Sequence, residues 1–209
     1  MIPEISVIIP TYNREEFISR ALRSILNQSI SRHLYEIIVV DDGSSDNTLE
    51  VIKEYANEIR IIINKKNIGL PGSLNVGIKA SHGRFIIRLD SDDYVHHDYL
   101  LIPYLYMTMN TNFDAVCIDY LIVDDSENII SRENSLESPI GCGIMFRHKQ
   151  LISIGLYNED QLLHEDKELM GRFLKKNYNV YRIQLPLYRY KMHDSNITKD
   201  DNLKNNYEQ

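Results

Sequence analysis

The first ninety residues carry four continuous apolar runs, at 5–9, 35–40, 59–63 and 85–89, and this repeat constrains the fold more than any other feature. Between the runs, apolar residues return at helical spacing. Phe17, Ala21, Leu22 and Ile25 form one such face, and Leu49, Ile52 and Tyr55 form a second. Pro71 suits a first helical position, and Gly83 lies just past the end of a third helix near Ser81. Strands without alternation are buried on both faces. Joined by amphipathic helices, they predict a parallel sheet covered on both sides. In such sheets the ligand edge lies at the carboxyl ends of the strands. Here that edge is made by Pro10, by Asp41-Asp42-Gly43 and by Asp90-Ser91-Asp92-Asp93.

The second half changes character. A helix is expected at 99–109, and strands at 115–123 and 128–131 read as an antiparallel pair. Gly141-Cys142-Gly143 precedes a short strand at 144–146, and a helix follows at 149–154. Another helix carries Leu169, Phe173 and Leu174, and strands are expected at 178–183 and 187–190. No Gly/Pro/Ser-rich linker divides the halves. The expectation is one α/β domain over 1–198, with a mostly parallel central sheet, helices on both faces and a mixed C-terminal half. Its two halves are 1–97 and 98–198, with 199–209 a polar tail.

Composition removes several classes. At 209 residues and 43% hydrophobic content, a conventional core needs no staples. The net charge of -7 and the lack of a basic run argue against a nucleic-acid partner. Cys117 and Cys142 form neither a CxxC nor a disulfide framework and read as reduced core thiols, which suits the cytoplasm. The N-terminus lacks the charged and apolar regions of a signal peptide, and no apolar run reaches 18 residues.

Three carboxylates in the four positions 90–93 repel one another and require a cation, donors or solvent. Hard oxygen ligands at a strand end suit Mg²⁺ or Mn²⁺ carried by a diphosphate. A solvated acidic turn is the plain alternative, and Asp93 could instead cap the next helix. There is no GxGxxG after the first strand and no P-loop motif, so dinucleotide and P-loop enzymes are disfavoured. His96-His97 are adjacent in sequence, which reads as surface rather than as a metal pair.

Taken together, residues 6–14 (SVIIPTYNR), 39–48 (VVDDGSSDNT), Asn67-x-Gly69 with Asn75 and Gly77, the Asp90-Ser91-Asp92 turn, 141–146 and Glu165-Asp166 resemble the family 2 glycosyltransferases of GT-A fold. The resemblance spans residues 5 to 198. It implies that Pro10, Thr11 and Tyr12 line the nucleoside pocket, and that Asp42 accepts a hydrogen bond from the base. Asn67, Asn75, Asp90 and Ser91 would contact the nucleotide sugar. Asp92 would ligate Mn²⁺ or Mg²⁺ with His193 as a further contact, and Asp166 would be the catalytic base, with Glu165 orienting it. The implied donor is a UDP-sugar, and the implied acceptor a glycan or lipid-linked molecule. The implied setting is the cytoplasm or the inner face of the membrane, with peripheral association. Arg182, Arg189 and Lys191 offer a candidate cationic edge for diphosphate or lipid phosphates.

The chain departs from the pattern in two places. Ser73-Leu74 stand where the third motif usually has Ala-Arg, so a basic donor contact is either missing or supplied by Arg88 or Lys79. Arg172-Phe173-Leu174 replaces the signature of processive synthases, which favours transfer of one sugar over polymerisation. A base assisting one in-line attack implies inversion. The rival readings are a sugar-nucleotide nucleotidyltransferase and a catalytically silent nucleotide- or glycan-binding module.

Overall fold

The computed structural model describes residues 2–161 and 163–193. The end of the expected domain at 198 and the polar tail lie outside the described residues.

The N-terminal half winds as expected. β1 (Ile5–Thr11), β2 (Tyr35–Asp41), β3 (Arg60–Ile63) and β4 (Phe85–Arg88) pair in parallel in the order β3-β2-β1-β4. α1 (Ile18–Leu26), α2 (Thr48–Lys53) and α3 (Leu70–Ala80) make the crossovers. α1 buries Ile18, Ala21, Leu22 and Ile25 against the β1/β2 face. Its three larger side chains contribute roughly 1.5–3 kcal/mol each. α3 packs Leu74 and Ile78 against Ile8, Ile38 and Val40 on the opposite face. Gly77 is obligatory there, because a Cβ would lie 2.5 Å from Ile8 Cγ2.

Pro10 does not end β1, which continues to Thr11. A proline is tolerated because β4 pairs with β1 only as far as Ile8↔Arg88, so the ladder has already opened on that side. Strand order reverses at β1, which has β2 on one side and β4 on the other. The crevice between the carboxyl ends of β1 and β4 is the switch point where such sheets bind ligands.

β5 (Tyr94–Val95) and α4 (Leu101–Met109) follow the acidic turn. β6 (Ala115–Val123), β7 (Ile129–Glu133) and β8 (Ile144–Arg147) extend the same sheet, with a 3₁₀ turn at Gly141–Gly143 before β8. β8 is antiparallel to both β4 and β6. α5 (His148–Ser153) and α6 (Glu165–Lys175) cover the face that carries Phe146 and Ile144. The strands expected at 178–183 and 187–190 are one strand, β9 (Val180–Lys191). Its register against β6 shifts beside Pro186, and this irregularity lets the strand pass a residue that cannot donate to the ladder. β9 runs parallel to β6 and antiparallel to β5. Among the described residues, no helix is long and apolar enough to cross a membrane.

Candidate active site

The acidic turn closes β4, and its three carboxylates have three different surroundings. Asp93 is buried and accepts hydrogen bonds from Tyr188 Oη (2.5 Å) and Lys191 N (2.7 Å). It caps no helix; it fastens the turn to the end of β9. Burial, with Asp92 and Asp90 alongside, pushes its carboxyl well above the usual carboxylate range. Tyr188 Oη also accepts from Asp90 N at 3.3 Å, so one hydroxyl spans the turn.

Fastening β9 has a consequence two residues on. His193 is buried, stacks on Phe17 with ring centroids 4.6 Å apart, and brings Nε2 to 3.2 Å from Asp92 Oδ2. Residues 101 positions apart therefore converge as one carboxylate and one imidazole. Arg14 Nε donates to the same Asp92 oxygen at 3.2 Å. Burial raises the Asp92 carboxyl, but His193 and Arg14 outweigh it and leave the pKa lowered. The pair fits a divalent cation that keeps phosphate oxygens and waters for its remaining positions. A mixed oxygen–nitrogen pair suits Mn²⁺ better than Mg²⁺.

Asp90 lies against Arg88, whose Nε and Nη2 donate to its two oxygens at 2.5 and 3.0 Å. Arg88 Nη1 reaches the other side of the cleft, 3.0 Å from Glu165 Oε1 and 3.1 Å from Asp166 Oδ1. Glu165 and Asp166 occupy the first turn of α6, where the helix dipole favours anions. The preceding residue, His164, takes a left-handed conformation (φ 59°) that sets the helix start. Asp166 Oδ2 accepts from Gly141 N at 2.9 Å. Desolvation, only partly offset by Arg88, pushes Asp166 up to about 6, where a carboxylate works as a base near neutrality.

At the carboxyl end of β1, Pro10 and Thr11 are buried, while Tyr12 beyond them is 42% exposed. Thr11 Oγ1 and Asp41 Oδ1 are buried without partners among the described residues. Both oxygens of Asp42 are engaged within the protein. They accept from Asn64 Nδ2 (2.8 Å), from Ile68 N (3.0 and 3.1 Å) and from Gly69 N (2.9 Å), which caps the start of α3. Asn67 Oδ1 accepts from Gly69 N within the same exposed loop. Ser91 is buried in the acidic turn.

Asn75 does not present its amide to the cleft. It donates to Tyr157 O (2.9 Å) and Glu159 Oε1 (3.0 Å) and accepts from Tyr157 N (3.0 Å). Arg88 is a buried ion-pair centre rather than a free donor contact, and Lys79 sits in the last turn of α3, away from the strand ends. The cationic edge is largely neutralised. Arg182 and Arg132 pair with buried Asp119, and Lys191 Nζ lies 3.4 Å from Asp125. Arg189 donates to the Pro186 carbonyl.

Sequence reasoning missed Arg14, Gly141 and the linking part played by Arg88. An arginine next to Leu89 in an otherwise apolar strand was a usable signal, because a buried guanidinium needs carboxylates.

A single sheet with a parallel β3-β2-β1-β4 half, an acidic turn at its switch point and a carboxylate opposite defines a GT-A-type domain. The chain belongs to glycosyl transferase family 2, whose model matches residues 6–166. It is 39% identical over 98 residues to the Staphylococcus aureus (strain Mu50) poly(ribitol-phosphate) beta-N-acetylglucosaminyltransferase TarS, covering 46% of this chain and 17% of that protein. It is 40% identical over 120 residues to TarP of S. aureus strain N315, covering 56% and 36%. The crystal structure of S. aureus TarS 1-349 in complex with UDP-GlcNAc superposes with a TM-score of 0.82 at 21% identity, over 94% of this chain and 61% of that one. A mannosyltransferase from Pyrobaculum calidifontis, in complex with GDP-Man and Mn²⁺, superposes at 0.77 and 17% identity, over 93% and 59%. The two solved structures show a shared fold. The chain spans 17% to 36% of the length of these two curated relatives.

Proposed function

We infer that the chain transfers a single sugar from a nucleotide sugar, UDP-linked, to a hydroxyl of a glycan or lipid-linked acceptor, with inversion. One observation carries this reading. Asp166 is held between Arg88 and Gly141 with a pKa raised to about 6, across the guanidinium from Asp90. A base so placed takes the proton of the attacking hydroxyl as the new bond forms. One carboxylate suffices for a single displacement, and no covalent intermediate is required.

On the donor side, Asp92 and His193 would hold Mn²⁺ or Mg²⁺. When bound, such an ion supplies Lewis-acid stabilisation of the leaving diphosphate. Arg14 stands beside Asp92 as a further cation for phosphate oxygens. Thr11, Tyr12 and Asp41, whose Oδ1 has no partner among the described residues, would face the nucleoside. Asp42 and Asn75 serve that pocket indirectly, by holding the loop before α3 and the segment at Tyr157–Glu159. The two N-acetylglucosaminyltransferase relatives, one of them solved with UDP-GlcNAc, make UDP-N-acetylglucosamine the first donor to test. The site would work in the cytoplasm, peripherally at the inner membrane face if its acceptor is lipid-linked. Residues 1–97, joined by His193, would serve the donor, and the rest of 98–198 the acceptor.

The test is thermal stabilisation by UDP with and without Mn²⁺, followed by transfer assays on Asp166→Asn. Stabilisation should require the metal, and the variant should bind UDP while kcat falls ~10²–10⁴-fold. A metal-independent shift, or wild-type turnover by the variant, would overturn the reading. Consumption of a nucleoside triphosphate with release of pyrophosphate would point to a nucleotidyltransferase instead. Metal-dependent UDP binding with no turnover of any donor would mark a silent binding module.

A further inference from the structure

Arg88 ends β4 inside the core, and its backbone is pinned as firmly as its side chain. Tyr99 Oη lies 2.6 Å from Arg88 O and 2.5 Å from Cys142 O, tying the end of β4 to the turn that carries Gly141. The side chain faces Asp90 from its own turn and Glu165 and Asp166 from α6, 77 and 78 residues later. A planar fork with several donors can serve three carboxylates at once, which a lysine ammonium cannot do with the same geometry.

Resting on the transferase reading above, we propose that Arg88 is a positioning residue that ties the donor-facing Asp90 to the base Asp166, fixing both the aim and the ionisation of that base. Four other groups bear on Asp166. Asp90 approaches from the acidic turn, Glu165 from α6 itself, Tyr157 from the segment before α6, and Gly141 N from the 3₁₀ turn. With one guanidinium against three carboxylates, removing the cation and removing a neighbouring anion must move Asp166 in opposite directions. A residue that merely fills space would move it in neither.

The experiment follows the Asp166 carboxyl by ¹³C NMR titration, alongside pH profiles of kcat/KM with a UDP-sugar and Mn²⁺. Arg88→Gln should raise the Asp166 midpoint by about one pH unit or more, and Glu165→Gln should lower it. Arg88→Lys should keep UDP affinity within about threefold while kcat falls roughly tenfold or more, the expected effect of a base displaced by a fraction of an ångström to an ångström. Should Arg88→Gln fail to fold, Glu165→Gln and Arg88→Lys still decide the matter. Midpoints that stay fixed or move the same way, or wild-type kcat in Arg88→Lys, would overturn the proposal. The titration needs no turnover. Opposite shifts in a protein that transfers no sugar would support the Arg88 linkage and refute the transferase reading alone.

Discussion

Gly141 N donates to Asp166 Oδ2 at 2.9 Å, and a Cβ on Gly141 would collide with the Asp166 carboxylate. The glycine is therefore required by its neighbour and not by its own backbone conformation. Gly141→Ala is expected to leave the fold within about 1 kcal/mol, because the group in its way is the end of a side chain. Turnover should fall about 10²-fold, the usual penalty for a catalytic group moved by an ångström. Melting temperature and kcat, measured together, check both halves of this expectation.

The raised pKa of Asp166 makes two expectations of opposite sense. The base form fills in as pH rises through about 6, so kcat/KM should lose its acid limb near that value. Stability runs the other way. The folded carboxyl binds its proton more tightly than the unfolded one, whose ordinary value is 3.8, so this group's contribution to stability declines between about pH 4 and 6. Asp166→Asn should flatten that decline. Urea melts of both proteins across this pH range measure it.

Asp93→Ala should unfasten the end of β9. Tyr188 Oη and Lys191 N would lose a buried acceptor, at about 1–3 kcal/mol each. For a domain of this size that lowers Tm by roughly 4–24 °C. Because His193 follows the same strand end, Mn²⁺-dependent UDP affinity should drop too. His193→Ala should reproduce the loss of affinity, and calorimetry with UDP and Mn²⁺ compares the two variants.

Asn75→Ala should behave as a stability variant. Its amide makes three hydrogen bonds to Tyr157 and Glu159, so a loss of about 1–3 kcal/mol is expected in denaturant melts. The donor KM, measured below the melting transition, should stay within about threefold. A much larger rise would restore Asn75 as a direct donor contact.

The pattern of what could be read in advance is physical. β1, β2 and β4 announced themselves because both of their faces are buried, so apolar residues run on past Ser6 and Glu36 almost to the ligand edge. β5 has two residues, too few for any periodicity, and exists only because β9 pairs with it. β9 was split in advance at Pro186, since sequence alone cannot supply the register shift that carries it past. Within the site, the spacing of Asp90, Asp92 and Asp166 was informative, but the division of labour was not. Whether Asp42 faces a ligand or its own loop is decided by where Asn64, Ile68 and Gly69 come to rest. Asp93 likewise took its task from Tyr188 and Lys191, 95 and 98 residues away.

The antiparallel ladder of Phe85, Ile86 and Ile87 with Arg147, Phe146 and Met145 joins the two halves of the chain through the middle of one sheet. A clamshell is thereby forbidden, because opening the halves would tear a central strand pair out of the core. Any opening at the site is left to loops at the sheet edge, such as 64–69, which Asp42 holds through Asn64, Ile68 and Gly69. The floor beneath behaves as a fixed anvil. Turnover should follow the stiffness of that loop, and grafting new versions of it is the way to retune it without disturbing Asp166.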